Sequence, residues 1–268
     1  MTTETGRARS FDAWAPEYDR YRPTYPEALF ATIASQLDLP ATPLVADLGA
    51  GTGRATLAMA ELGWRVTAVE PGRPMLDILR ARASDRGLYV ATVEGVAEET
   101  GLDPASVDLA TAAQAFHWFD KPRALAEMAR IVRPGGGVAL FWNVRDETRS
   151  AFVAGYHRML EGYDTTGGPE RYLHAGRPTG NDATHTALAK SGAFDEPTFT
   201  QVRHELAMSA GEFVGLAFTA SYIRALPAER QEQFRSELSA LLDHHHAGEA
   251  SFVIPYRIDL WTARRRGA

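Results

Sequence analysis

Val45-Ala46-Asp47-Leu48-Gly49-Ala50-Gly51-Thr52-Gly53 reads as an apolar strand that ends in an acid and turns through three glycines into a helix. Glycine enters the left-handed region without a Cβ clash and lets a ligand approach bare backbone. The stretch therefore predicts a ligand at the carboxyl end of a first strand. Spacing narrows the choice of ligand. A dinucleotide loop reads G-x-G-x-x-G, whereas here the third glycine comes one residue early and Arg54 stands where helix, strand and pyrophosphate need the smallest residue. The pattern is G-x-G-x-G, and it lacks the Lys-Ser/Thr of a phosphate-binding P-loop.

Working outward, short β-rich apolar runs alternate with stretches of helical periodicity, the pattern of a parallel sheet covered by helices on both faces. Strands are expected near 44–48, 65–69, 89–93, 107–111 and 137–142, with helices over 54–62, 75–84 and 123–132. Pro40 and Pro43 precede the first strand, and Pro134-Gly135-Gly136-Gly137 separates a helix from the fifth. Regularity falls away after Asn143, and 165–180, rich in Gly, Thr and Pro, reads as a loop or lid near substrate. A strand over 198–206, helices over 211–225 and 227–244, and a last strand over 252–262 complete the reading.

The 268 residues suit one α/β domain with an elaborated cap, and 45% hydrophobic with 23% charged residues is normal for a chain that buries a core. A net charge of -6 gives no general attraction to phosphate backbones or anionic lipid, so neither nucleic acid nor membrane is expected as a partner. The Arg264-Arg265-Arg266 run reads as a solvated strand end. No cysteine is present, which excludes thiolate nucleophiles and sulfur-ligated zinc. His117, His157 and His174 are scattered, and adjacent His244, His245 and His246 point in different directions, so no metal is expected. With a polar start and no apolar run of spanning length, the location expected is cytoplasmic.

The stretch Asp47-Leu48-Gly49-Ala50-Gly51-Thr52-Gly53 resembles the first motif of the class I S-adenosylmethionine-dependent methyltransferases, and the likeness runs from about Phe11 to Asn143. It implies a Rossmann-like seven-stranded mixed sheet, mostly parallel with the last strand antiparallel, with helices on both faces and a helical or loop lid. It implies S-adenosyl-L-methionine as cofactor and S-adenosyl-L-homocysteine as product. Gly49, Ala50, Gly51 and Gly53 would then pack against the methionine and ribose parts, with Asp47 aiding the ammonium or an ordered water. Glu70, at the end of Val66-Thr67-Ala68-Val69-Glu70-Pro71, would accept both ribose hydroxyls. An NAD protein would also want that acid. Pro71 and Met75 would flank adenine. Val96 stands where the family commonly has an acid, so adenine would be read through the backbone N–H of Ala97 and Glu98.

Ala112-Ala113-Gln114-Ala115-Phe116-His117-Trp118-Phe119-Asp120 has no Asn/Asp-Pro-Pro-aromatic segment, which argues against nucleobase or glutamine amide acceptors. It looks like the small-molecule methyltransferases of the trans-aconitate group. The segment from Phe11 to Pro26 is similar to the cap of that group, in which Tyr18, Tyr21 and Arg22 would reach the cofactor's carboxylate; packing also explains some of these aromatics. Gln114 joins the expected cofactor contacts. His117 is the candidate base if the acceptor must lose a proton, with a structural role as the alternative. His117, Trp118, Asn143, Tyr172 and His174 are the expected substrate contacts. The division expected is a cap over 1–40, a cofactor core over 41–145, a lid over 146–197, and closing strands and helices over 198–268. The expected activity is methyl transfer to O, N or C of a small metabolite by a monomer or homodimer. Alternatives are a non-methylating protein that binds the cofactor, such as a cyclase or regulator, and a nicotinamide-dependent oxidoreductase.

Overall fold

The computed structural model describes residues 23–163 and 183–267. Among them, strands β1 Leu44–Leu48, β2 Arg65–Glu70, β3 Ala91–Glu94, β4 Val107–Ala113, β5 Val132–Arg145, β6 Thr198–Met208 and β7 Phe252–Arg264 form one sheet. Its spatial order is β3-β2-β1-β4-β5-β7-β6. The first five strands are parallel, and β7 is antiparallel to both β5 and β6, so the expected mixed sheet with an antiparallel last strand is what the chain forms. Strand order reverses between β1 and β4. At such a switch point the connections leave in opposite directions and open a crevice beyond the carboxyl ends.

The helices are α1 Glu27–Leu37, α2 Arg54–Glu61, α3 Arg73–Asp85, α4 Lys121–Ile131, α5 Ala151–Glu161, α6 Ala183–Ser191, α7 Ala210–Phe218, α8 Ser221–Arg224 and α9 Ala228–His246. Alternation along β5 shows how the layers form. Ala139 and Phe141 pack with Phe30 and Ile33 of α1 and Met59 of α2, whereas Leu140 and Trp142 pack with Leu125 and Met128 of α4. Covered on both faces, the central strands are nearly continuous in apolar burial, as parallel strands must be. A further cluster joins Tyr156 of α5, Phe213 of α7 and Phe234 of α9 to Ile254 and Tyr256 of β7.

Several details differ from the sequence expectation. Strand β5 begins at Val132 rather than after the glycines, with a register shift against β4 between Val107 and Leu109. A Cβ at Gly136 would lie 2.3 Å from the Asp108 carbonyl oxygen, so glycine lets this strand run close instead of breaking it. The helix expected over 211–225 is divided: α7 ends at Phe218, where the Thr219 hydroxyl donates to the Leu216 carbonyl at 2.6 Å and competes with helix propagation. Among the described residues regular structure continues after Asn143 in α5 and α6, and the loop expected over 165–180 lies outside the described residues. The three terminal arginines are not simply solvated. Arg264 and Arg265 donate to the carbonyls of Gln36 and Val132, at 3.2 and 2.6 Å, and Arg266 pairs with Asp195.

Gly53, the N-cap of α2, has φ +86°, and a Cβ there would stand 2.6 Å from Leu79 Cγ on α3. Gly53→Ala therefore combines left-handed strain with overpacking, an expected loss of about 2–4 kcal/mol. A lowered melting temperature in calorimetry would show it; an unchanged one would refute the packing reason for this glycine.

Candidate active site

The turn after β1 hangs on the end of β2. Gly49 N–H and Ala50 N–H both donate to the Val69 carbonyl, at 2.9 and 3.2 Å, and Gly53 N–H closes the turn on Ala50 at 2.9 Å. One residue on, the Glu70 carboxylate gathers two more donors: Gly51 N–H on Oε2 and Gly72 N–H on Oε1, each at 2.9 Å. A single buried acid thus fixes the glycine turn relative to the start of α3. Gly51 has φ +56°, and a Cβ there would meet nothing within 4 Å, so its backbone faces open space where a ligand can approach.

Asp47 lies behind that floor. It is buried, and its oxygens accept the hydroxyls of Thr56 at 2.6 Å and Thr111 at 2.9 Å. Burial pushes its carboxyl up to about 6, and the threonine hydrogen bonds, which favour the anion, only partly counter this.

A cavity of about 380 Å³ opens above the turn. Pro71, Met75, Val96 and Ala97 give it an apolar side, and Trp118 and Phe119 an aromatic one. The loop after β4 is held by Glu98, which accepts the Asp120 N–H at 2.8 Å, while the Asp120 side chain caps α4 by accepting the Arg123 N–H at 3.3 Å. Gln114 sits at φ +55°, a left-handed conformation uncommon for a residue with a Cβ. Its Nε2 donates to the Asn143 carbonyl at 3.2 Å, and Asn143 Nδ2 donates to the Thr24 carbonyl at 3.4 Å. Those bonds fix the donor ends of both amides. Gln114 Oε1 and Asn143 Oδ1 are left buried without partners, and both residues line the cavity.

Of the residues expected at the site, Gly49, Ala50, Gly51, Glu70, Pro71, Met75, Ala97, Glu98, Gln114, Trp118 and Asn143 meet around this one cavity. Asp47 and Gly53 lie behind its wall. His117 is also outside the lining, and its Nδ1 accepts the Trp142 indole N–H at 3.3 Å; in the neutral ring that bond places the proton on Nε2. Tyr18, Tyr21, Arg22, Tyr172 and His174 lie outside the described residues. The sequence reading passed over Tyr25, Phe119, Asp120 and Arg123, which also line the cavity. Tyr25 and Phe119 stood inside segments already singled out by their aromatic content. Arg123 looked like an ordinary first-turn helix residue. Among the described residues there is no cluster suited to a metal ion and no helix long and apolar enough to cross a membrane.

Residues 46–140, which contain the turn and most of the cavity wall, match the model of a methyltransferase domain. An uncharacterised methyltransferase of Mycobacterium tuberculosis is 45% identical over 139 residues, which is 52% of this chain and 54% of that protein. The match therefore spans about half the length of that relative. An uncharacterised methyltransferase of Schizosaccharomyces pombe is 28% identical over 240 residues, 87% of each chain. A solved candidate type II methyltransferase from Anaeromyxobacter dehalogenans superposes with a TM-score of 0.68 at 28% identity, covering 92% of this chain and all of that one. Over residues 46–140 the chain carries a methyltransferase domain, and along most of its length it is similar to methyltransferases of the class I S-adenosylmethionine-dependent family. S-adenosylmethionine is the cofactor of that family.

Asp47 sets a pH signature. Its carboxyl is raised in the folded state, so the folded protein holds a proton that the unfolded chain releases from about pH 4 upward. The stabilisation is complete below about pH 4 and is lost as pH rises through about 6. Glu127, held down to about 2 by Arg130 and Thr100, has the opposite sign: its stabilisation is present above about pH 4.5 and is lost as pH falls toward about 2. Asp47→Asn should remove about 2–4 kcal/mol of downward slope between pH 4 and 6. Superimposable wild-type and variant stability profiles across that window would contradict the assignment.

Proposed function

We propose that this protein transfers the methyl group of S-adenosylmethionine to a small-molecule acceptor held over the loop that follows β4. The single observation behind this reading is the cavity that joins the Glu70-tied glycine turn to the buried amide oxygens of Gln114 and Asn143. The residues present suit the cofactor. A carboxylate can accept more than two hydrogen bonds, so Glu70 can hold the turn and still receive ribose hydroxyls. The unpartnered Gln114 and Asn143 oxygens are acceptors, which suit an ammonium donor and would repel a pyrophosphate. Pro71, Met75, Val96 and Ala97 supply the apolar contact that an adenine needs, with the Ala97 and Glu98 backbone beside it.

When bound, S-adenosylmethionine supplies an electrophilic methyl on a sulfonium centre. The chain's part is to orient and to exclude water. Such positioning can account for about 7–11 kcal/mol of a barrier without a dedicated acid or base. Trp118, Phe119 and Asn143 form the acceptor side, and the aromatic rings keep it dry. His117 stands just outside. It serves a protic acceptor only if its Nδ1 lets go of the Trp142 indole, so in this reading it first positions Trp118, whose ring centroid is 4.9 Å away.

We further propose that 1–40 and 146–197 close over this core as cap and lid, that 41–145 holds the cofactor, and that 198–268 completes the sheet. Tyr18, Tyr21 and Arg22 would meet the cofactor's carboxylate, and Tyr172 and His174 the acceptor. The acceptor is a small metabolite of the kind taken by the trans-aconitate group, methylated on O, N or C. The protein acts in the cytoplasm as a monomer or homodimer, without nucleic acid or membrane.

Incubation with methyl-labelled S-adenosylmethionine and a fractionated metabolite extract should transfer label to a small product and release S-adenosylhomocysteine. Tight binding with no labelled product would favour a non-methylating role. Glu70→Ala should weaken cofactor binding by about 1.5–3 kcal/mol in calorimetry, the scale of a hydrogen bond to a charged group. Unchanged affinity would remove Glu70 from the site.

A further inference from the structure

The two edges of the sheet are unequal. On one side it ends in β3, with 4 residues; on the other it ends in β6, with 11, and no described strand pairs with the outer edge of β6. The register of β6 with β7 runs from Thr198 to Met208 without a shift. Proline, lysine and bulges commonly keep an edge strand from pairing with another chain, and β6 has none of them. A row of backbone N–H and C=O groups is therefore left for a further strand.

Side chains alternate across this strand. One face turns to the molecule's own body: Thr200 Oγ1 accepts Gln36 Nε2 of α1 at 2.7 Å, and Val202 and Leu206 pack against the apolar clusters. Gln201, Arg203, Glu205 and Ala207 are exposed on the other. Opposite Arg203 on β7 stands a second cation, Arg257, already paired with Asp259 at 3.2 Å. Among the described residues no acceptor takes the Arg203 side chain. Glu205 takes Arg149 through Oε1 at 2.8 Å, which leaves Oε2 available.

A second copy of this chain supplies what Arg203 lacks. When two β6 strands run antiparallel about a two-fold axis at His204, Arg203 meets the partner's Glu205 and Val202 meets the partner's Leu206, each pair formed twice. Moving the axis one residue either way sets Arg203 or Glu205 against its own copy, so charge selects a single register. His204 meets itself on the axis. Burial lowers its imidazole below the usual value, so that meeting brings no like-charge repulsion at neutral pH. We propose that this protein forms a homodimer through antiparallel pairing of two β6 strands in the register centred on His204, which joins the two sheets into one. Assembly stops there, because each copy spends its long edge and keeps only the 4-residue edge at β3. The inference goes beyond the methyl-transfer reading and does not depend on it.

Sedimentation equilibrium of the 268-residue chain at micromolar concentration is expected to give twice the monomer mass of 29.3 kDa. Arg203→Glu sets carboxylate against carboxylate at both pairs. It should weaken association at least about tenfold, with the monomer still folded by circular dichroism. Glu205→Arg should do the same, and mixing the two variants should restore a dimer, since every opposed pair is then Glu with Arg. The chain has no cysteine, so a single engineered thiol reports on its own copy. The Cα atoms of His204→Cys would lie about 5 Å apart across the axis, so oxidation should link the dimer. Thr198→Cys, roughly 40 Å from its copy, should stay unlinked. A monomer at every concentration, a dimer unmoved by Arg203→Glu, or linkage at 198 and not at 204 would overturn the proposal. The wild-type mass and the thiol pair decide the matter even if a charge variant fails to fold.

Discussion

One carboxylate organises the glycine-turn side of the cavity. By accepting the N–H groups of Gly51 and Gly72, Glu70 ties the turn after β1 to the first turn of α3, and the Val69 carbonyl just before it holds Gly49 and Ala50. Four backbone donors from two loops are thus fixed by two adjacent residues at the end of one strand. A flexible glycine loop would lose much conformational freedom on meeting a ligand; here that ordering is done by the fold itself. The acid can sit there because backbone N–H groups supply the hydrogen bonds that a buried carboxylate needs.

Asp47 shows the contrasting case. It is also a buried acid at a strand end, but it accepts the hydroxyls of Thr56 and Thr111 instead of loop N–H groups, and burial pushes its carboxyl up to about 6 against those hydrogen bonds. It locks β1 to β4 through Thr111 and to α2 through Thr56, and so supports the floor without lining the cavity. Two acids at successive strand ends take different parts, and the difference lies in what each one accepts.

The glycine-turn side of the cavity was legible because its signals are local. Asp47 to Gly53 is one continuous stretch, and Glu70 ends an obvious apolar run, so spacing alone brought them to the edge of the sheet. Some of the fold escaped for equally physical reasons. In α5, Phe152, Val153, Tyr156, His157 and Leu160 recur at helical spacing, but Gly155 and the polar, glycine-rich stretch that follows dilute the pattern. The left-handed Gln114 could not be foreseen, since a glutamine there is sustained by bonds to Phe141 and Asn143 on a different strand. Gly136 looked like a breaker because the reading could not know that the Asp108 carbonyl would pass so close.

The aromatic cluster around Arg145 is hidden from sequence in a more general way. Arg145, Tyr156, Phe213, Tyr222 and Tyr256 come from two strands and three helices spread over more than a hundred residues, and no spacing rule joins them. They meet because β7 inserts antiparallel between β5 and β6, which brings Tyr256 against Arg145, while α5, α7 and α8 fold over the same end. A turn made of consecutive residues can be read from spacing, but a cluster gathered by topology cannot. The antiparallel last strand therefore does more than close the sheet: it sets a tyrosine opposite an arginine at the end of β5 and gives α5, α7 and α8 a face to pack on.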